Sequence, residues 1–559
     1  MAGVDGVYLN GAVWAGGEVA ARARPTALAV GRGRVVALGT DREIGELADA
    51  GTPVVDLGGR RVVPGLIDGH IHAVRAGATW VDELHWSGLP DVRAALASIA
   101  DAAARARPGE WIRAVGGWHP CQLAEGRSPT REELDSVSGD HPVYVQALYD
   151  HAVLNSEALR RTGIDRLTAD PPGGRVERAA DKRPTGRISG LGAFSLCLAA
   201  VPVRSREEER AGLAAMVREL HATGLTGLVD PGGFQMTARR YDALFDLWRR
   251  GDLHMRMRLF LSAVDAGQEV AELTGWLEHG QSRFGDGMLQ ILGLGEVVHF
   301  GCHDFEGLEP FEITEDACRE FEEISRRAAR RGWPVHVHAV LDSTIDRILD
   351  AWEKVDAETP LAALRFSLAH ADRIGPRNIA RVRELGVGVV LDDHLVYKAD
   401  ASRRAWGDDA IHESPPIGDL LAAGIPLAAG TDATRASSYS PWLALWWLVG
   451  GRSLDGVARR PAAHRLSRAR ALAAYTSGSA WLSFEERDRG HLHPGARADF
   501  AVLDRDYFTV SEDEIPSLSS VLTVVGGAVV HSSGAVAPAT PRDNGAVPPP
   551  ADQPKEPAL

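Results

Sequence analysis

Eight short apolar runs, separated by amphipathic segments, constrain the fold more than any other feature of the sequence. The runs are continuous in apolar character, which is typical of strands buried on both faces of a parallel sheet. Strands that alternate with helices indicate an α/β fold, and eight of them predict a closed (β/α)₈ barrel of the TIM type. The predicted strands are residues 62–67, 225–229, 257–262, 288–294, 334–337, 364–369, 387–391 and 425–429.

The gap between the first and second predicted strands is too long for an ordinary connection. It holds about 150 residues, whereas connections in compact domains are usually shorter than about 15 residues. We therefore predict an inserted subdomain over residues 80–205. It should lie above the C-terminal face of the barrel, where the active-site loops of such barrels belong.

The two ends of the chain, residues 1–63 and 480–535, contain short apolar stretches separated by Gly-rich turns, which are typical of strands. Neither end is large enough to bury a core alone, so we predict that they form one composite β-sandwich. The barrel then takes residues 64–479. Residues 536–559 are rich in Pro and Ala and contain few large apolar side chains, which predicts a disordered tail.

Charge and cysteine usage exclude several classes of protein. The chain has 61 Lys and Arg against 76 Asp and Glu, a formal net charge of −15, which disfavours nucleic acids and anionic membranes as partners. The 4 cysteines show no CxxC spacing, so a disulfide framework and a cysteine zinc site are not indicated. No segment resembles a signal peptide or a membrane span, and we expect a cytoplasmic protein that acts on a small molecule.

Histidines and an aspartate close several of the predicted strands. His70 and His72 follow the first strand, and residues two apart in a strand face the same way. His338, His370 and Asp432 close the fifth, sixth and eighth strands. Imidazole and carboxylate groups are ligands of divalent transition metals. The pattern therefore predicts a metal site inside the barrel mouth.

These motifs identify a family resemblance. The sequence resembles the metal-dependent amidohydrolase superfamily, and most closely amidohydrolase family 3, which includes N-substituted formamide deformylases and exoenzyme-regulatory-protein-like amidohydrolases. The resemblance implies a barrel with a composite β-sandwich, one or two metal ions that are usually Zn²⁺, and hydrolysis of C–N bonds; a homodimer is also common among such barrels. It rests on residues 64–72, 127–135, 154–159, 337–339, 369–371, 430–432 and 494–500.

The resemblance implies that His70, His72, His338, His370 and Asp432 are metal ligands. The fourth strand departs from the commonest superfamily pattern, in which a carbamylated lysine bridges two metals. This strand has no lysine, and Glu296 at its end is the candidate bridge because a glutamate already carries a carboxylate. The alternative is that Glu296 is a hydrogen-bonded strand-end acid beside a single metal ion.

Other residues near the predicted mouth have less certain roles. His336 faces inward one residue pair deeper than the ligands, and we expect a hydrogen-bonded core histidine. His394 and Tyr397 follow the seventh strand, Trp442 follows the eighth, and His151 belongs to the insertion. We predict substrate contacts for these four, with a core position for Trp442 and a surface position for His151 as alternatives.

The predicted reaction is hydrolysis of an amide, formamide, carbamate or lactam by metal-activated water, with Asp432 carrying a proton from water to the leaving nitrogen. A mononuclear deaminase is an alternative, but such enzymes place a glutamate about three residues after the fifth-strand histidine, where Leu341 stands here. A non-catalytic regulatory or binding barrel is a second alternative. Proteins of that kind typically have incomplete ligand sets, whereas every expected position here holds a competent residue.

Overall fold

A parallel sheet of eight strands forms the centre of the molecule. The computed structural model describes residues 3–17, 25–536 and 540–541. The sheet runs in sequence order from β1 to β8, so each strand lies beside the next, and this confirms the predicted α/β fold with eight parallel strands. The strands are β1 Leu66–Asp68, β2 Leu225–Asp230, β3 Arg256–Leu261, β4 Leu289–Glu296, β5 Val335–Ala339, β6 Ser367–His370, β7 Gly388–Leu391 and β8 Leu427–Ala429.

The barrel is nearly closed between β8 and β1. Backbone hydrogen bonds join the ends of these strands and the segments after them: the Gly69 amide donates to the Ala429 carbonyl at 2.8 Å, and the Asp432 amide donates to the His70 carbonyl at 2.8 Å. Gly430 lies at this contact, and a Cβ atom there would overlap the backbone of His70. The close approach places His70 and Asp432 side by side.

The first predicted strand, residues 62–67, is divided in the structure. Arg61–Pro64 pairs antiparallel with Phe500–Leu503 in a different sheet, while Leu66–Asp68 pairs with β2 in the barrel. Gly65 separates the two parts, and a Cβ atom there would overlap Thr226. The apolar run is continuous because both parts are buried, although they belong to different sheets.

The strands from the two chain ends form two five-stranded sheets that contribute to one hydrophobic core. Tyr8 of one sheet packs edge-on against Phe500 of the other, with ring centroids 4.9 Å apart. One sheet has the order Thr540–Pro541, Pro53–Asp56, Gly6–Leu9, Ala27–Gly31, Arg34–Gly39; the other has the order Ala12–Val13, Arg61–Pro64, Phe500–Leu503, Ser520–Val525, Ala528–Ser532.

The predicted disordered tail lies mostly outside the described residues. Within it, Val536 is buried, and Thr540–Pro541 pairs antiparallel with Pro53–Asp56. These positions differ from the prediction because pairing with an edge strand supplies hydrogen bonds that the tail cannot form alone.

The segment between β1 and β2 contains its own mixed sheet. Its strands lie in the order Arg175–Arg178, Pro184–Ser189, His151–Leu154, Val143–Ala147 and Ile112–Val115. Two hydrophobic clusters cover this sheet. One contains Trp86 and Trp118, and the other contains Tyr144 and Phe194.

Helices cover the barrel and the insertion. Ser205 and Glu208 form a capping box at the start of the helix before β2. No helix of the described residues has the length and apolar character needed to cross a membrane. The α-helices are Asp41–Gly45, Ala73–Gly77, Val92–Arg105, Arg131–Ser138, Ser156–Thr162, Leu191–Leu198, Arg206–Ala222, Asp242–Arg250, Glu269–His279, Glu315–Arg330, Asp342–Glu358, Pro376–Leu385, Leu395–Trp406, Asp408–Glu413, Ile417–Ala422, Pro441–Gly450, Arg468–Ala473 and Ser479–Leu482.

Candidate metal centre

Six side chains of the types that bind metal ions meet at the C-terminal ends of five barrel strands, and all six are buried. Glu296 and His370 are the last residues of β4 and β6, and His338 lies near the end of β5. Parallel strands end at the same edge of a sheet, which brings these side chains together. The six are His70, His72, Glu296, His338, His370 and Asp432.

The Glu296 carboxylate lies between two groups of histidines. Its Oε1 is 3.3 Å from His72 Nε2. Its Oε2 is 3.3 Å from His70 Nε2, 3.6 Å from His338 Nδ1 and 4.0 Å from His370 Nε2. A carboxylate that faces ligand nitrogens with both oxygens has the arrangement of a bridging group.

Asp432 joins the cluster from β8. Its Oδ1 lies 3.1 Å from His72 Nε2 and 3.6 Å from His70 Nε2. His370 and Asp432 have φ angles of 72° and 52°, in the left-handed region that non-glycine residues seldom adopt. Such backbone strain concentrates at functional sites, where the surrounding structure holds it.

The histidine nitrogens facing away from the cluster are hydrogen-bonded. His72 Nδ1 lies 2.9 Å from the Gly232 carbonyl, and His370 Nδ1 bonds the Asp392 carboxylate. His338 Nε2 lies 2.5 Å from the Phe305 carbonyl. With a cation bound, these acceptors would hold the proton on the outer nitrogen, which leaves the inner nitrogen the lone pair that metal-binding histidines require.

The inner nitrogens of two of these histidines have no partner among the described residues. His70 Nε2 and His370 Nε2 are buried and form no hydrogen bond. An unpaired buried polar atom is unfavourable. A divalent cation would satisfy both atoms, and four imidazoles with two carboxylates are a donor set for such a metal. The residues present therefore fit a divalent metal ion.

The carboxylates are ionised in this environment. Burial raises the pKa of Glu296, but His72, His338 and His70 outweigh that effect and hold the pKa well below its usual value. For Asp432, burial also raises the pKa, but protonated His72, through a hydrogen bond, and the charges of protonated His70 and His72 lower it by more; a bound cation would take the place of those protons. Both groups thus carry negative charge toward the site.

His336 is a core histidine that supports His70, as the sequence predicts. Its Nε2 lies 2.9 Å from His70 Nδ1, and its Nδ1 lies 2.8 Å from Ser367 Oγ. Burial lowers the pKa of His336 well below its usual value, so the ring is neutral. Its hydrogen bond with Nδ1 holds the His70 ring in one orientation.

Among the four residues predicted to contact substrate, His394 lines the cavity at the metal cluster. Burial lowers its pKa, but Asp372 and Asp392 raise it by more, to about 10. Its Nδ1 lies 2.5 Å from Asp392 Oδ1, and its Nε2 lies 3.5 Å from Asp372 Oδ2. A charged imidazolium therefore faces the cavity.

The structure places the other three away from that cavity. Trp442 is fully buried and donates from Nε1 to the Thr223 carbonyl at 2.9 Å, so it occupies a core position. Tyr397 is buried with its ring 6.5 Å from that of His119. His151 lines a second cavity in the inserted subdomain. Trp442 and Tyr397 are buried because their rings are large and mostly apolar. The position of His151 depends on how the inserted subdomain folds.

Two residues that the sequence did not single out join the site. The His303 ring stacks on His338 with centroids 3.8 Å apart, and Asp304 Oδ1 lies 3.2 Å from His338 Nε2. Burial and His338 lower the pKa of His303 to about 3, so this imidazole is neutral. The sequence signal that could have identified His303 and Asp304 is their place in the long loop after β4, because such loops carry functional residues in barrels.

The cavity beside the metal cluster is narrow and partly aromatic. Its free volume is about 40 Å³, enough for water but smaller than an amide substrate. Tyr149, Phe234 and Phe305 contribute to its wall. Tyr149 belongs to the insertion, so the insertion covers part of the barrel mouth.

Comparison with known proteins identifies the family. The chain is 28% identical over 525 residues to the N-substituted formamide deformylase of Arthrobacter pascens, covering 90% of this chain and 94% of that protein. It is 28% identical over 522 residues to the protein LONG AFTER FAR-RED 3 of Arabidopsis thaliana, covering 89% and 87%.

A solved structure has the same fold. The metal-dependent hydrolase from Pyrococcus furiosus aligns with a TM-score of 0.65 at 22% identity, over 90% of this chain and 99% of that one. The model of the amidohydrolase family, Amidohydro_3, matches residues 53–531. That match spans most of the chain, so the protein belongs to the amidohydrolase family, and it is an enzyme that acts on carbon–nitrogen bonds other than peptide bonds.

Proposed function

We propose that this protein hydrolyses a C–N bond of a small amide, formamide, carbamate or lactam, on a barrel flanked by a composite β-sandwich. The observation that carries the proposal is the set of inward nitrogens around Glu296, two of which form no hydrogen bond within the part of the chain that the structure describes. The family match supports the same class of reaction.

The metal ligands form overlapping groups. His70, His72 and Asp432 form one group, and Glu296 connects it to the other two histidines, because it forms one group with His70 and His370 and another with His303 and His338. The set would hold one or two divalent ions, with Zn²⁺ as the expected metal. When bound, such an ion lowers the pKa of a water toward about 7 and polarises a carbonyl oxygen.

Asp432 is the proposed general base and acid. It is ionised, it lies at the cavity, and it comes from a strand end opposite Glu296. Its carboxylate would accept a proton from the attacking water and return it to the departing nitrogen, a role worth roughly 10²- to 10⁴-fold in rate. His394, as an imidazolium in the same cavity, would donate a hydrogen bond to the substrate and stabilise negative charge that develops on it.

The cavity favours a compact substrate. Its free volume of about 40 Å³ requires the aromatic side chains at the mouth to move before an amide can enter. Phe234 and Phe305 then offer an apolar wall for the part of the substrate next to the reacting bond.

The first test is Asp432→Asn. We expect retained fold, substantial retained metal and nearly abolished turnover, because the amide cannot accept the proton. Metal content by elemental analysis, circular dichroism and amine release from a panel of amides measure the three properties. An active Asp432→Asn enzyme would remove Asp432 from this role.

The second test separates the metal ligands from other histidines. His70→Ala combined with His72→Ala should lose metal and turnover, whereas His279→Ala, on an exposed helix end, should lose neither. About two metal ions per wild-type chain would support Glu296 as the bridge. About one would favour the deaminase alternative, and a folded chain that stays empty when offered metal would favour a non-catalytic barrel.

A further inference from the structure

A second cavity lies in the inserted subdomain. Its volume is about 450 Å³, and it shares no lining residue with the cavity at the metal cluster. Ser128, Asp150 and His151 contribute to its wall. The metal chemistry proposed above uses none of these three side chains.

The three side chains form a continuous hydrogen-bonded chain. Ser128 Oγ lies 2.7 Å from His151 Nε2, and His151 Nδ1 lies 2.7 Å from Asp150 Oδ2. An ionised carboxylate only accepts, so the His151 proton must be on Nδ1. His151 Nε2 therefore carries a lone pair and accepts the hydrogen bond that the Ser128 hydroxyl donates. This order of atoms is that of a serine nucleophile with its general base.

Electrostatics favour the same protonation states. Burial raises the pKa of Asp150, but His119 and His151 outweigh it, and the pKa lies well below its usual value. Burial is also the largest effect on His151; it lowers the pKa by more than Asp150 raises it, and Arg187 adds to the lowering. A neutral imidazole is available to accept a proton near neutral pH.

Regular structure holds each member in place. Asp150 and His151 lie at the turn between Val143–Ala147 and His151–Leu154, where His151 is the register partner of Ala147. Ser128 precedes Pro129 and the helix Arg131–Ser138, whose N-cap Thr130 forms a capping box with Glu133.

We propose that Ser128, His151 and Asp150 form a second hydrolytic site that acts on small carboxylic esters. The Ser128 Oγ attacks the ester carbon while its proton moves to His151 Nε2, and the C–O bond to the alcohol breaks as that proton passes to the leaving oxygen. Water then attacks the acyl-serine and gives a proton to His151. The Oγ–acyl bond breaks, the carboxylic acid leaves, and Ser128 recovers its proton.

The solvent exposure of Asp150 and Ser128 limits the size of the substrate that can reach the site. The side chain of Asp150 is 49% exposed, so the cavity is open to solvent. Ser128 also lines the cavity and is only 8% exposed. Because Ser128 is this little exposed, we expect a short acyl group such as acetyl to be preferred. Asp150 is a positioning residue that orients His151.

The test uses the full chain and a fluorophosphonate probe, which forms a covalent adduct with activated serines. We expect one adduct per chain, mapped by peptide mass spectrometry to Ser128, in both metal-loaded and metal-depleted protein. Ser128→Ala should remove the adduct, and Ser136→Ala, on the exposed side of the helix Arg131–Ser138, should not. Mapping the wild-type adduct needs no variant, so a Ser128→Ala chain that fails to fold does not prevent the test.

The result in metal-depleted protein separates this proposal from the proposed amide hydrolysis, because only the latter should need the metal. Hydrolysis of p-nitrophenyl acetate gives the second readout. Its rate should fall as the pH falls through the pKa of His151, which faces Asp150, His119 and Arg187. Asp150→Asn should lower that rate roughly 10²-fold or more and move the pH midpoint, which a purely structural role would leave unchanged. No adduct above background, or an adduct at another residue, would overturn the proposal.

Discussion

At the residue scale, the metal centre depends on the hydrogen-bond partner of the outer nitrogen of each histidine. His72 and His338 bond backbone carbonyls, and His370 bonds a carboxylate. His70 instead bonds the neutral imidazole of His336. Such hydrogen-bond partners fix the tautomer and the orientation of a metal-binding histidine. Their loss typically lowers metal affinity or activity roughly 10- to 100-fold.

His336→Ala tests this dependence. The Nδ1 of His70 would lose its partner inside the barrel, so the ring would no longer be held in one orientation. We expect metal affinity to fall roughly 10- to 100-fold, measured by competition with a chelator. His279→Ala is the control, and unchanged affinity in His336→Ala would show that the barrel wall alone orients His70.

At the scale of elements, the contact between β8 and β1 aligns the ligands of the two strands. Gly430 allows the backbone after β8 to touch the backbone of His70. The amide of Asp432 then donates to the His70 carbonyl at 2.8 Å. A side chain at this contact would separate the two segments and displace ligands on both.

Gly430→Ala should therefore destabilise the protein by about 1–3 kcal/mol through overpacking and should also reduce its metal content. Denaturant unfolding and elemental analysis measure the two effects. Gly275→Ala is the matched control: it lies inside the helix Glu269–His279 with no atom within 4 Å of the added Cβ. That change should stabilise the helix by about 0.5–1 kcal/mol, and equal behaviour of the two variants would contradict the packing argument.

At the scale of the whole molecule, a buried ion pair joins the barrel to the strands from the chain ends. Arg256 on β3 binds Asp499, just before Phe500–Leu503, through two hydrogen bonds of 2.7 and 2.9 Å. Their side chains are 3% and 4% exposed. Asp499 also accepts from the Gly526 amide at 2.7 Å. Removing one partner of such a pair leaves a charge without compensation inside the protein.

Asp499→Ala should reduce the free energy of unfolding by about 3–5 kcal/mol. Arg256→Met combined with Asp499→Leu should restore much of the loss, because two apolar side chains leave no buried charge. Glu46→Ala removes the exposed pair with Arg42 and should change stability by less than about 0.5 kcal/mol. Denaturant unfolding compares the variants, and a small effect of Asp499→Ala would mean that water reaches Arg256.

The sequence alone was sufficient for the barrel and for most of the metal cluster. Apolar runs of strand length are set by burial on both faces, and the ends of parallel strands meet at one edge whatever the loops do. A position at a strand end therefore predicts that residues such as His338 and His370 lie together. The core role of His336 followed from the same alternation of side chains along β5.

The sequence did not predict which distant irregular segments meet, because those contacts form only when the whole chain packs. The division of the first apolar run at Gly65 was not predictable, since both parts are buried in different sheets. The stacking of His303 on His338 depends on the path of a long loop. The meeting of Ser128 with His151 depends on how the insertion folds. Local periodicity determines which way a side chain faces, but only packing of the whole chain determines what it meets there.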